Sequence, residues 1–408
     1  MLNLFWVGFS LYTIGFTLAT TQISVVKLFI MIQFLGLGLF LFSSIKLFNF
    51  KFSSIYLKAL YTLFCVWSFI VVLRGLSFNY DFLKETFTNP YGGILLYMTP
   101  LILLIPQSII FYRRVFTVIA TLGITFLICS VLFHKLLLDV DIDNDLISQV
   151  YIIEFFAKNL SIPSGFLLLT YTYHSKARRF LSIIVITSTI LFAVITARRG
   201  LVFSFSMILL FYAMILLYRS KRRVLTILIF VLGLSSMSFY MIKEIKDGNF
   251  GMFGSLNQRM NEDTRGEVEM YYYADMGTKD WILGRGMSGL VAAPYTNVNS
   301  DYVNGKPGYR DGIETDYLNI ILKGGIISLG LLLLLAVPAA FKGIFFSKNL
   351  LSKAAGIWIL LWMIDLYPTT VTSFTLRYLL VWICIGICYS KKLRNIPEGE
   401  MKRYFLTT

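Results

Sequence analysis

Apolar runs long enough to cross ~30 Å of hydrocarbon at about 1.5 Å per residue recur along this chain, and no other feature limits its fold as strongly. They lie near residues 3–20, 24–45, 56–74, 92–111, 115–134, 160–175, 180–197, 200–218, 223–242, 316–341, 353–367 and 374–390, twelve in all. A backbone in lipid has to satisfy its own hydrogen bonds, so runs of this length read as α-helices. The expected fold is all-α: a polytopic integral membrane protein of about twelve transmembrane helices, with one large external loop between helices nine and ten. Pro100 and Pro106 predict a kink in the fourth helix, and Pro163 marks the start of the sixth. With 57% hydrophobic and 14% charged residues, a water-soluble globule of this chain would expose far too much apolar surface. The N-terminus begins apolar at Leu2, with no basic stretch and no small-residue cleavage site, which predicts a first spanning helix rather than a removed signal peptide.

The net charge of +15 does not point to nucleic acid, because Lys and Arg fall in short clusters between apolar runs rather than on one basic domain. With both termini cytoplasmic, twenty of the 37 basic residues lie in short inside loops and the tail, against only Glu398 and Glu400 of the 22 acids. That asymmetry is the positive-inside pattern. It leaves residues 75–91, 135–159 and 243–315 external. Four segments follow: 1–242 with helices one to nine, 243–315 as the large loop, 316–390 with helices ten to twelve, and 391–408 as a basic cytoplasmic tail. No soluble cytoplasmic domain is left to bind a nucleotide, which disfavours sugar-nucleotide or ATP-driven chemistry. Cys65, Cys129, Cys384 and Cys388 all sit inside apolar runs, so no disulfide framework ties the loop together.

Chemistry-bearing residues gather on the external side. Arg198 and Arg199, in the ITARRG turn between helices seven and eight, stand at the external boundary against the positive-inside bias. Two readings fit: a guanidinium pair that captures a phosphate or pyrophosphate group, or helix-end snorkelling into lipid phosphates. The large loop sets Arg259, Arg265, Arg285 and Arg310 among Glu262, Asp263, Glu267, Glu269, Asp275, Asp280, Asp311 and Glu314, with Tyr271, Tyr272, Tyr273 and Trp281. Mixed charge with aromatics suits carbohydrate; a solvated loop domain carries the same composition. Gly284, Gly286 and Gly289 match G-x-G-x-x-G, but outside any βαβ unit a tight turn is the expected role. Asp139, Asp141, Asp143 and Asp145 fail the calcium-loop pattern at its Gly and Glu positions.

Asp316, Asn319 and Lys323 follow i, i+3, i+7 and form one polar stripe at the outer end of helix ten. Such a stripe is expensive against lipid, so it is expected to face a water-filled cavity or a charged partner, or to make purely structural polar contacts. Asp365 and Arg377, at the ends of helices eleven and twelve, are expected to form a structural pair. His134 and His174 have no ligand cluster around them.

The order of RRG opening a helix, DTRGEV at 263–268, DWILGRG at 280–286 and TDYLNIILKGGIISLGLLLL at 315–334 resembles the O-antigen polymerase (Wzy) and O-antigen ligase superfamily. The resemblance implies a membrane-embedded C-type glycosyltransferase of the bacterial inner membrane. It would act at the periplasmic face on undecaprenyl-pyrophosphate-linked oligosaccharides, with no cofactor, nucleotide or metal, beside membrane lipid and a chain-length regulator. Carried over by position, Arg199, or its neighbour Arg198, and Arg265 contact the donor pyrophosphate; Arg198, Arg285 or Arg310 are candidate additional contacts, because a doubly charged leaving group gains from more than one guanidinium. The ligases place His before the Tyr-Leu of the last motif; here Thr315 and Asp316 stand there, so a polymerase is the better match. Asp316 is then the expected catalytic base and Glu314 the fallback. The rivals are a ligase of the same superfamily and a lipid-linked oligosaccharide flippase, which would spread cationic residues through the helices of two related halves.

Overall fold

Helix follows the apolar runs closely. In the computed structural model the described residues are 1–21, 25–76, 84, 86–138, 147–196, 198–219, 264–293 and 308–406. Among them, eight helices are long and apolar enough to cross a membrane, which makes the chain a multi-pass membrane protein. In chain order the helices are α1 (Leu2–Ala19), α2 (Val26–Leu47), α3 (Ile55–Gly75), α4 (Ile94–Met98), α5 (Ile109–Leu132), α6 (His134–Leu138), α7 (Ile147–Phe156), α8 (Ser164–Leu169), α9 (Lys176–Ile195) and α10 (Arg199–Arg219). Then come α11 (Thr264–Asp275), α12 (Thr278–Leu283), α13 (Asp316–Phe345), α14 (Leu350–Asp365), α15 (Leu376–Tyr389), α16 (Lys391–Asn395) and α17 (Glu398–Leu406). Two short antiparallel strands, β1 (Val291–Ala292) and β2 (Tyr309–Arg310), pair Val291 with Arg310 and Ala292 with Tyr309. The expected ninth helix, 223–242, lies outside the described residues, as do Asp139, Asp141, Asp143 and Asp145.

The contacts divide the chain into two compact units, and this partition does not follow the sequence-order segments. The first holds Met1–Tyr12, Gln33–Tyr112 and Asp263–Thr407; the second holds Thr13–Ile32 and Arg113–Glu262. In the first unit, helix backbones meet where side chains are smallest. A Cβ on Gly8 of α1 would lie 2.5 Å from the Phe40 nitrogen of α2, and one on Gly36 would lie 2.3 Å from the Tyr12 nitrogen. Close backbone approach is how helices pack without a hydrophobic drive between them. Large apolar side chains such as Leu63, Val66 and Phe69 on α3 stay exposed, as a lipid-facing surface requires.

Two elements differ from expectation. The fourth apolar run is not one kinked helix. α4 gives way to a 3₁₀ turn over Thr99–Leu104 with Pro100 at its start, and the chain is extended at Ile105, before Pro106. Pro106 has no N–H to donate and disfavours helical geometry in the residue before it. The segment nevertheless runs the length of α15: the Phe374 N–H donates to Pro90 O at 2.7 Å near one end, and the Gly386 backbone packs on Gln107 near the other. The sixth span begins earlier than expected, covering Ile152–Leu169 through a π-turn at Ala157–Ser161. Its charges are carried as a neutralising pair, Lys158 donating to Glu154 at 3.2 Å, which lets two residues expected in a loop enter the helix.

Candidate functional site

The centre of the first unit is a break in α13. A thirty-residue helix is about 45 Å long, well beyond ~30 Å of hydrocarbon. It is interrupted at Gly325, whose φ of 68° and ψ of −179° lie in a region reserved for glycine. The interruption strips Leu322, Lys323 and Gly324 of their helical hydrogen-bond donors. The DWILGRG turn replaces them: the Arg285 N–H donates to Leu322 O at 2.7 Å and the Gly286 N–H to Lys323 O at 2.9 Å. Trp67 of α3 donates its indole N–H to Gly324 O at 2.9 Å. The turn is held from its other side by Arg74, which donates to Leu283 O and Gly284 O, and by Met287, whose N–H donates to Val71 O at 3.0 Å. Gly284 and Gly286 have φ of 70° and 88°, and a Cβ on Gly284 would meet the Gly324 nitrogen at 2.5 Å. The glycines expected to make a tight turn do so, and the turn caps a broken helix.

Arg285 locks this turn to its neighbours. Its Nε and Nη2 donate to Asp280 Oδ2 at 3.0 and 2.9 Å, its Nη1 to Asp275 Oδ2 at 2.6 Å and to Leu290 O at 2.8 Å, and its Nη2 to Asp275 O at 2.6 Å. All five guanidinium donors are used within the chain. Burial alone would lower its pKa, but the hydrogen bonds and charges of Asp275 and Asp280 outweigh burial and raise it. Beside it, Tyr272 is buried, its hydroxyl donating to Leu318 O at 3.0 Å, and burial raises its pKa.

Asp316 opens α13 and is fully buried. Its Oδ2 accepts the Val371 N–H at 3.1 Å, the Thr372 N–H at 2.7 Å and the Thr372 hydroxyl at 2.5 Å, so this carboxylate ties the start of α13 to the segment between α14 and α15. Glu314, two residues earlier, is exposed. Lys323 donates to Gly289 O at 2.8 Å and to Asp311 Oδ1 at 2.5 Å. Asn319 and Lys323 line a cavity of about 50 Å³ with Ser68, Tyr97, Ser328 and Tyr378. The polar stripe is thus divided, one end anchoring a loop and the other facing a cavity. Asp365 and Arg377, both buried, are bonded to each other.

In the second unit, Arg198 donates to Glu154 Oε1 at 3.0 Å, and Glu154 also takes Lys158. Arg199 begins α10, half-buried, and its side chain makes no hydrogen bond or ion pair among the described residues. Arg310, on β2, is likewise half-buried and uncommitted among the described residues. Arg265 belongs to α11, and its side chain lies outside the described residues. Sequence reasoning missed Trp67 and Arg74, read only as the end of an apolar run; an arginine and a tryptophan a helical turn or two apart at a helix end were the available signal. Among the described residues no group of three or more His, Cys, Asp or Glu side chains is placed to hold a metal ion. His174 is buried against Thr170, whose hydroxyl lies 2.9 Å from its Nε2. Compared with known proteins, the chain matches no family model, no curated protein and no solved structure.

Proposed function

We propose that this chain is a polysaccharide polymerase of the bacterial inner membrane. It transfers a growing glycan from undecaprenyl pyrophosphate onto a new lipid-linked repeat unit at the periplasmic face, with both termini in the cytoplasm. The reading rests on the packing of DWILGRG against the LKGG break of α13: two stretches that carry the family resemblance, separate in sequence, meet as one structural feature. Thr315 and Asp316 in place of the ligase His favour the polymerase over the ligase, and a dominant external loop favours either over a flippase.

In the proposed reaction an acceptor hydroxyl oxygen forms a bond to the anomeric carbon of the donor sugar. The bond from that carbon to the pyrophosphate breaks, the pyrophosphate leaves on its lipid, and the hydroxyl proton passes to a carboxylate. The residues divide by how far they are already committed. Arg265 and Arg310, both of the first unit, are assigned to the pyrophosphate, where planar guanidinium forks stabilise the departing charge. Arg285 and Arg198 hold local structure through Asp275, Asp280 and Glu154. Exposed Glu314 is a better-placed proton acceptor than Asp316, which already accepts three hydrogen bonds from its own chain.

The deciding experiment is the polysaccharide ladder of a strain lacking this protein. A single capped repeat unit is the expected result. Ladders that form but never reach the terminal acceptor would make it a ligase, and lipid-linked units accumulating in the cytoplasm would make it a flippase.

A further inference from the structure

The first unit carries an aromatic surface that the pyrophosphate chemistry does not use. Tyr273 and Trp281 stack with ring centroids 5.9 Å apart and planes 13° apart, and Tyr317 and Tyr367 stack at 6.5 Å and 15°. Tyr273 and Tyr317 act on each other electrostatically, which sets the two pairs side by side. Tyr272 lies beneath, edge-on to Tyr273 and Trp281 at 5.8 and 5.7 Å. The outer rings are open: Tyr273 is 49% and Tyr367 62% exposed. Carboxylates flank them. Glu269 Oε1 accepts the Thr315 hydroxyl at 2.5 Å and acts electrostatically on Tyr317, and exposed Glu314 adjoins Thr315.

We propose that Trp281, Tyr273, Tyr317 and Tyr367 form a ledge on which a sugar chain stacks, with Glu269 and Glu314 accepting hydrogen bonds from its hydroxyls. Rigid rings offer apolar area at little cost in side-chain freedom, and a few fixed polar groups among them set orientation. That combination matches a pyranose, apolar on its C–H faces and hydroxylated at its edge. A lipid-interface aromatic belt uses the same residue types. Here, however, the rings stack on one another and stand among Glu269, Asp280 and Glu314, which repel anionic head groups. The choice of a lipid-linked repeat unit as the source of the sugar chain rests on the polymerase reading; the ledge itself does not.

The test is isothermal titration calorimetry on the full-length chain in nanodiscs. The probe is the water-soluble oligosaccharide released by mild acid from the lipid-linked repeat units of the producing strain. Binding is expected for the unaltered chain, weakened at least ~10-fold by Trp281→Ala and by Tyr367→Ala, and within about twofold of normal for Gly330→Ala, whose added Cβ meets nothing within 4 Å. Tyr367 is the most exposed ring, so its truncation leaves the fold intact if Trp281→Ala does not. No binding by the unaltered chain, or equal binding by Tyr367→Ala, overturns the ledge. So do variants that lose only stability in the bilayer, the aromatic-belt outcome. A collapsed ladder without oligosaccharide binding removes the ledge alone, whereas a normal ladder with ledge-dependent binding removes the polymerase alone.

Discussion

Asp316 and Glu314 stand two residues apart and have opposite environments, and the difference is testable. Asp316 is wholly buried, its Oδ2 filled by the 371–372 backbone and the Thr372 hydroxyl. Asp316→Asn keeps the shape but turns charge-assisted hydrogen bonds into neutral ones. It is expected to cost about 1–3 kcal/mol of stability, read as a lowered melting temperature in detergent. Glu314 is exposed, and Glu314→Gln is expected to leave the melting temperature unchanged while slowing polymerisation of purified lipid-linked repeat units roughly 10²-fold. Full activity in Glu314→Gln with a large loss in a normally stable Asp316→Asn would return the base to Asp316.

At the scale of elements, the break in α13 and the turn that caps it form one device, and glycine makes both halves possible. Gly325 and Gly284 each combine a φ near +70° with a ψ near 180°, and a Cβ on Gly325 would lie 2.0 Å from Ile282 O. Gly325→Ala and Gly284→Ala are each expected to cost at least about 1–3 kcal/mol from the backbone conformation alone. They should also leave Leu322 O and Lys323 O without their capping donors. Gly330 lies on the same helix with nothing within 4 Å of its added Cβ, so Gly330→Ala is the matched control and should melt like the unaltered chain. Equal melting temperatures across the three variants would mean that the break is not specified by these glycines. The same device explains the length of α13: interrupting the helix lets residues 316–324 serve the polar surface while the remainder is long enough to span.

For the molecule as a whole, orientation follows from where the basic residues fall. The proposal places α11 outside and α16 inside. Ala274 on α11 and Lys391 on α16 are both exposed. Single cysteines at these positions, with the four native cysteines replaced, should therefore label differently with a membrane-impermeant thiol reagent on intact spheroplasts. Position 274 is expected to react and position 391 to stay protected until the membrane is permeabilised. The reverse pattern would invert the topology and remove a periplasmic reaction.

The sequence by itself determined the helical, membrane-spanning character and the positions of several spans. Apolar runs of spanning length have few alternatives in lipid, so α1, α2, α3, α9 and α10 fall within a few residues of expectation, and the Asp365 and Arg377 pair was readable from two opposite charges at adjoining helix ends. Periodicity carries no information on which backbone groups find partners far along the chain. It therefore could not show that Arg74 and Trp67 reach the 283–286 turn and the α13 break, that Arg285 spends its whole fork on Asp275, Asp280 and Leu290, or that four aromatic rings assemble on one surface. Asp316 is the sharpest case. Its residue type and its place at a helix start suit a base and an anchor equally, and only the tertiary approach of the 371–372 backbone shows that its Oδ2 holds that segment, because two backbone N–H groups 55 and 56 residues away reach it through packing and not through any local pattern.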